Sequence, residues 1–316
     1  MKKIKTVNNE FFKKTTIQSY PEIDRIIENV RKSGVAAVNY YSKKFGDDEF
    51  FKIKDMIVSD KEIENAVNSL NPDLRYAIEV CINNIKGFAK GQMECIQNLN
   101  MTVENFPNSK IGHKVIPIEN VLCYVPNGNY PLISSALMGI IPAVIAGVKN
   151  VMVTSPKITK EVIAASYMAG AKKIYKVGGA QAIAGFAYGV KPFIKADKIV
   201  GPGNKYVTYA KKKVYGECGI DFLAGPSEVL IVADSNANVD YVACDILAQC
   251  EHDVNARAYL VTTNETFANA VIANVSQRVL GLSDIAKSAF ENSTCLIVKN
   301  FEEVLDVVNK KAPEHL

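Results

Sequence analysis

The chain has 316 residues, 48% of them hydrophobic and 22% charged, a balance that fits a folded protein of about two domains and excludes a disordered chain. Its 37 basic and 33 acidic residues leave a net charge of +4, too nearly balanced to argue for nucleic acid or an anionic membrane as a partner. No segment approaches the roughly 18 uninterrupted apolar residues of a membrane span, and no apolar stretch follows the N-terminal lysines, so the expected location is the cytoplasm.

In chain order, residues 1–20 read as an N-terminal arm. "YPEIDRIIENVRKSGVAAVNYYSKKFG" and "DKEIENAVNSLNPDLRYAIEVCINNIKGFAKGQME" have helical period, and "MTVENFPNSKIGHKVIPIENV" reads as antiparallel strands. From about residue 120, short β-branched runs alternate with helical segments. "NVLCYVP" is a predicted strand, "SSALMGIIPAVIAGV" a buried helix and "NVMVTSP" a strand; "KKIYKV" and "ADKIVGP" continue the series, each followed by a helix. A second series runs through "EVLIVAD", "ARAYLVTT" and "TCLIVKN", with "TFANAVIANVSQRVLGL" as one of its helices, and closes on the helical "FEEVLDVVNKK". The expected fold class is therefore α/β, with two Rossmann-like parallel-sheet domains and an N-terminal helical segment. The expected division assigns 21–122 plus 228–316 to a substrate-binding, catalytic domain on which the N-terminal helices pack. Residues 123–227 form an inserted nucleotide-binding domain.

The seven cysteines are odd in number, form no Cys-x-x-Cys pair and mostly sit among apolar residues, so they read as reduced core thiols. The basic run Lys211–Lys213 reads as the wet face of a helix. Histidine is scarce: His113, His252 and His315 are the only imidazoles in the sequence.

Three loops at predicted strand ends carry turn residues that also suit a phosphate. In "VGGAQAIAGFAYG", Gly178 and Gly179 stand between strand and helix, and Gln181 is best placed to touch a ligand there. In "IVGPGNKYV", Gly201, Pro202 and Gly203 force a turn and Asn204 is placed as a helix N-cap. "CYVPNGNYP" is the third. Capped turns and a dinucleotide crevice both explain these loops. "AGPSEV" joins the two series and is expected to line a cleft between them, with Ser227 either a substrate-facing hydroxyl or a turn residue. In "ILAQCEHD", Gln249 and His252 are spaced i and i+3, with Asp245 one turn earlier, so on a helix they converge on one ion; a lone histidine at a helix end is the alternative. In "KAPEHL", Pro313 ends a helix and leaves Glu314 and His315 just beyond it, a carboxylate and an imidazole that can divide acid and base work.

Taken together and in this order, "YVPNGNYPL", "VGGAQAIA", "GPGNKYV", "AGPSEVL", "LAQCEHD" and "APEHL" resemble the histidinol dehydrogenase family, from about residue 20 to the last residue. The resemblance implies oxidation of L-histidinol through L-histidinaldehyde to L-histidine, the last step of histidine biosynthesis, with two NAD⁺ in succession and a bound zinc ion. It implies NAD contacts at Tyr124, Gln181 and Asn204 and a substrate contact at Ser227. Gln249 and His252 match zinc ligands that also hold the substrate through the metal, and Glu314 and His315 match the acid–base pair, His315 also touching substrate. The complete protein would be a homodimer.

The chain departs from the family pattern in three places, one of them Cys250, where a small alanine is common. Family members continue past "PEHL" with the remaining zinc ligands and a further catalytic glutamate, so the C-terminal part of the family fold is expected to be absent, the zinc site incomplete and turnover impaired. Asn127-Gly128-Asn129-Tyr130 also replaces the usual Gly-Gly after "VP". Two alternatives stand beside the leading expectation: a paralogue oxidising another polar alcohol, and a shortened, non-catalytic nucleotide-binding homologue.

Overall fold

The structure is a computed structural model that describes residues 1–6, 11–12, 18–45, 53–127, 131–223 and 227–316. The strands are β1 (Lys2–Ile4), β2 (Leu99–Val103), β3 (Phe106–His113), β4 (Asn120–Tyr124), β5 (Asn150–Thr154), β6 (Lys173–Tyr175), β7 (Lys198–Val200), β8 (Gly219–Ile220), β9 (Glu228–Val232), β10 (Arg257–Thr262) and β11 (Thr294–Ile297). The helices are α1 (Pro21–Ser33), α2 (Val35–Lys44), α3 (Asp60–Asn68), α4 (Pro72–Glu94), α5 (Ile133–Ile145), α6 (Lys160–Ala169), α7 (Gly179–Tyr188), α8 (Lys205–Val214), α9 (Val239–Cys250), α10 (Glu265–Arg278), α11 (Asp284–Glu291) and α12 (Phe301–Lys311). Parallel sheets covered by helices make this the α/β fold expected.

The chain divides into two units, one formed by Ile17–Leu223 and the other by Met1–Thr16 with Ala224–Leu316. In the first, five parallel strands lie in the order β6-β5-β4-β7-β8. β4 is the first of these in sequence, so the order reverses between β4 and β7, the topological switch point at which open parallel sheets bind ligands. The strands are buried on both faces, as "VLCY" and "VMVT" require: neither run has a polar alternation that would suit a wet face. One face carries α1, α2, α7 and α8, with Ile26, Val30, Val38, Ile183, Phe186 and Val207 in its core. The other carries α3 to α6, with Ile78, Ile82, Leu137, Ile140 and Ile163.

The N-terminal helices therefore pack on this first sheet, not on the second as expected, and the inserted unit begins near residue 17 rather than at 123. The apolar stripe of α1, Ile23-Ile26-Ile27-Val30, meets α7, and α4 meets α5. Pattern shows that a helix has an apolar face and is silent on which sheet that face covers. The antiparallel pair β2–β3 forms as predicted.

In the second unit four parallel strands run β1-β11-β10-β9. α9, α10 and α11 bury Ile246, Phe267, Val271 and Phe290 on one face; on the other, Val304 and Val307 of α12 pack with Leu230, Tyr259 and Val261. The predicted N-terminal arm thus contributes a strand. The helix expected over "TFANAVIANVSQRVLGL" stops at Arg278, and Ser283 caps a separate α11, accepting the N–H of Ala286 at 3.3 Å.

Candidate active site

In the first unit the candidate residues gather at the carboxyl ends of the strands. Tyr124, buried at the end of β4, lies at the switch point. Its phenolic oxygen accepts the N–H of Gly179 across 3.1 Å, and its carbonyl oxygen lies where a Cβ on Gly201 would overlap it. Gly178 is packed just as closely on Pro156, in the loop after β5. The loops that follow β4, β5, β6 and β7 therefore meet within one compact edge. Gly179 and Gly201 hold φ of +69° and +109°, values that only glycine adopts cheaply.

Gln181 is 1% exposed, and its Oε1 lies 2.6 Å from where a Cβ of Gly179 would stand, so its carboxamide folds back over that glycine. Asn204 is exposed and caps α8, its Oδ1 accepting the N–H groups of Tyr206 and Val207, each at 3.0 Å. The amino ends of α7 and α8 both open on this edge. Close-packed glycine loops and two helix amino termini fit the diphosphate of a dinucleotide. Asn127 is described; Gly128, Asn129 and Tyr130 of the departing turn lie outside the described residues.

The run Lys211–Lys213 is not one wet face. Lys212 and Lys213 are exposed, whereas Lys211 is 3% exposed and forms an ion pair with Asp221. The signal was present in the period: Val207, Lys211 and Val214 share one stripe of α8, and both valines are buried.

In the second unit the candidate residues collect at the amino ends of the strands. Ser227 precedes β9, and its carbonyl accepts the N–H of Arg257 at 3.1 Å. Residues 224–226 of the "AGPSEV" linker lie outside the described residues. As expected, α12 ends before Pro313; Ala312 takes φ of +42° and the chain turns back. His315 then pairs in parallel beside Val229, donating its N–H to the Glu228 carbonyl at 3.3 Å and accepting that of Leu230 at 2.9 Å. The Glu228 N–H points at Glu314 Oε2, 3.4 Å away. Glu314 Oε1 and His315 Nε2 are 3.9 Å apart, close enough to interact electrostatically and too far for a direct hydrogen bond.

Gln249 and His252 do not share a helix face. α9 ends at Cys250, and His252 lies in the turn beyond, exposed, its N–H returning to the Gln249 carbonyl at 3.3 Å. Gln249 is 8% exposed and its Nε2 has no hydrogen-bond partner among the described residues; Asp245, one turn earlier, faces solvent. A rotated amide presents oxygen at that position, so Gln249 can offer a donor to a cation. Among the described residues, however, no group of three or more His, Cys, Asp or Glu gathers as a metal site. Gln249 and His252 alone do not fit a zinc ion, which takes about four ligands. The described residues also contain no helix long and apolar enough to cross a membrane.

Residues 11–316 match the family model of histidinol dehydrogenase. The histidinol dehydrogenase of Methanocaldococcus jannaschii is 45% identical over 304 residues, 94% of this chain and 69% of that protein. That of Geobacillus kaustophilus is 40% identical, over 99% of this chain and 76% of its own length. The crystal structure of histidinol dehydrogenase from Elizabethkingia anophelis superposes with a TM-score of 0.91 at 31% identity, covering 100% of this chain and 75% of that one. The chain belongs to the histidinol dehydrogenase family, NAD-dependent oxidoreductases of histidine biosynthesis.

Proposed function

We propose that the chain performs the oxidation of L-histidinol to L-histidine by way of L-histidinaldehyde, with Tyr124, Gln181 and Asn204 as NAD contacts and Ser227 as a substrate contact. The observation that carries the reading is the parallel pairing of His315 beside Val229, which brings an imidazole and a carboxylate to the start of β9, next to Ser227.

When bound, NAD accepts the hydride that leaves the alcohol carbon, and a second NAD accepts the hydride of the aldehyde hydrate. His315 Nε2 takes the hydroxyl proton as the first hydride departs, a role suited to an imidazole near neutral pH. Glu314 then takes a proton from the water that adds to the aldehyde carbon. The backbone N–H of Glu228 holds Glu314 in place for that step. The Ser227 hydroxyl orients the substrate.

Gln249 and His252 would contribute two donors to a zinc ion that orients the substrate's imidazole and amine, and His315 would also touch the substrate. Two donors are fewer than the four or so that zinc takes, so Gln249 and His252 by themselves would hold it weakly. The family resemblance also supports a homodimer acting in the cytoplasm.

The test is single-turnover NADH formation from histidinol and from histidinaldehyde. His315→Gln should slow the alcohol step by about 10²-fold or more, and Glu314→Gln the aldehyde step by a similar factor. No slowing in either variant would remove the acid–base assignment. Zinc held equally tightly by a chain carrying Gln249→Ala and His252→Ala would remove these two donors. Faster oxidation of another polar alcohol would replace the substrate.

A further inference from the structure

The loop after β7 is held by a device that a turn alone does not need. Gly201 donates its N–H to Asp221 Oδ2 at 2.7 Å and accepts from Lys211 Nζ at 2.9 Å, while Lys211 Nζ and Asp221 Oδ1 form an ion pair. Both backbone groups of one glycine are thus closed into a ring with a buried cation and a largely buried anion, whose side chains are 4% and 17% exposed. The same glycine takes φ of +109° and leaves no room for a Cβ against the Tyr124 carbonyl. Lys211 lies in the second turn of α8, the helix whose amino end this loop forms.

Stability by itself is a weak reason for such a pair. Removing two charges from water costs several kcal/mol each, and well-packed apolar residues of the same volume often serve a fold as well or better. An apolar pair could not, however, bond both backbone groups of Gly201. Nor could Asp221 stand here alone, since an uncompensated carboxylate beside the loop would repel an anionic ligand.

We propose that Lys211 and Asp221 are positioning residues for the dinucleotide. They clamp Gly201 so that the loop and the Asn204-capped end of α8 are set before the cofactor arrives, and they do so without net charge. The inference rests on the reading of this edge as the NAD site, and it assigns the pair no contact with the cofactor.

Titration calorimetry with NAD⁺ on the full chain tests it, using two neutral pairs that differ in their bonds to Gly201. The K211M/D221L chain removes both bonds, and its Kd should rise at least tenfold while its thermal midpoint stays within a few degrees of the parent. The K211Q/D221N chain retains an acceptor for the Gly201 N–H and a donor for its carbonyl, and its Kd should stay within about threefold. Unchanged binding by K211M/D221L would overturn the inference, as would equal losses in both pairs. Failure of K211M/D221L to fold would also overturn it, by making the pair structural. No binding by the unaltered chain at millimolar NAD⁺ would instead remove the NAD reading itself.

Discussion

Lys311 stands buried at the end of α12 with its Nζ 2.8 Å from Glu228 Oε2 and 4.6 Å from the centre of the Tyr259 ring. One side chain thereby ties the helix to the strand beside which His315 pairs. Breaking a buried pair on one side leaves the other charge uncompensated. Because Glu228 keeps some contact with water, Lys311→Met should cost about 2–3 kcal/mol in urea unfolding. Adding Glu228→Gln should return at least half of that, and amide exchange at His315 should quicken in the single variant. A loss below about 0.5 kcal/mol would show that the pair does not hold the segment.

Two kinds of glycine should respond in opposite directions. Gly201→Ala forces an L-residue to φ of +109° and drives its Cβ into the Tyr124 carbonyl, so a loss of about 3 kcal/mol or more is expected by chemical denaturation. Gly87 lies in α4, exposed, with nothing within 4 Å of an added Cβ. Gly87→Ala should stabilise by about 0.5–1 kcal/mol through helix propensity. A destabilised Gly87→Ala chain would contradict the open space described around it.

The thiols divide into two classes. Cys81, Cys95 and Cys244 are exposed, while Cys123, Cys218, Cys250 and Cys295 are buried. Burial, with a smaller contribution from the Asp221 charge, pushes the Cys123 thiol up to about 12; burial raises Cys218 and Cys295 to about 11. Iodoacetamide at pH 8 should therefore modify three cysteines in the folded chain and all seven in denaturant, as mass spectrometry would count them. Rapid labelling of Cys123 under native conditions would be incompatible with this packing.

Glu62 gives the first unit a dependence on acid. Partial burial favours its neutral form, but hydrogen bonds from Lys176 and from Ser59, whose N–H and hydroxyl complete the cap of α3, outweigh it and hold the carboxyl below its ordinary 4.5. A lowered folded value means that the contribution is fully present above pH 4.5 and fades as pH falls through the folded value. Urea midpoints of Glu62→Gln should therefore converge on those of the parent as the pH drops below about 4.5, having been lower above it. Parallel curves at every pH would exclude the carboxylate as the cause.

Alternation of β-branched runs with helical period made both parallel sheets legible, because central strands buried on two faces leave little choice of composition. The cap at Asn204 and the stop at Pro313 were equally readable, each resting on local backbone chemistry. What escaped was set by tertiary contact. Nothing in α1 or α4 names the sheet it covers, and the lysine count of "KKK" hid a charge whose partner, Asp221, lies on another element. The spacing of Gln249 and His252 suggested one helical face, yet the helix ends between them. Lys2–Ile4 was too short to register as a strand without β11 to pair with.

That last pairing bears on how the molecule is made. Ile17–Leu223 is continuous in sequence, so its sheet can close while later residues are still being synthesised. β1 precedes every other described strand in sequence, yet its partner Thr294–Leu296 lies in the last of them. Of the described strand pairings this one spans the most sequence, so the four-stranded sheet is expected to close later than the five-stranded sheet of the inserted unit, whose strands all lie within residues 120–220.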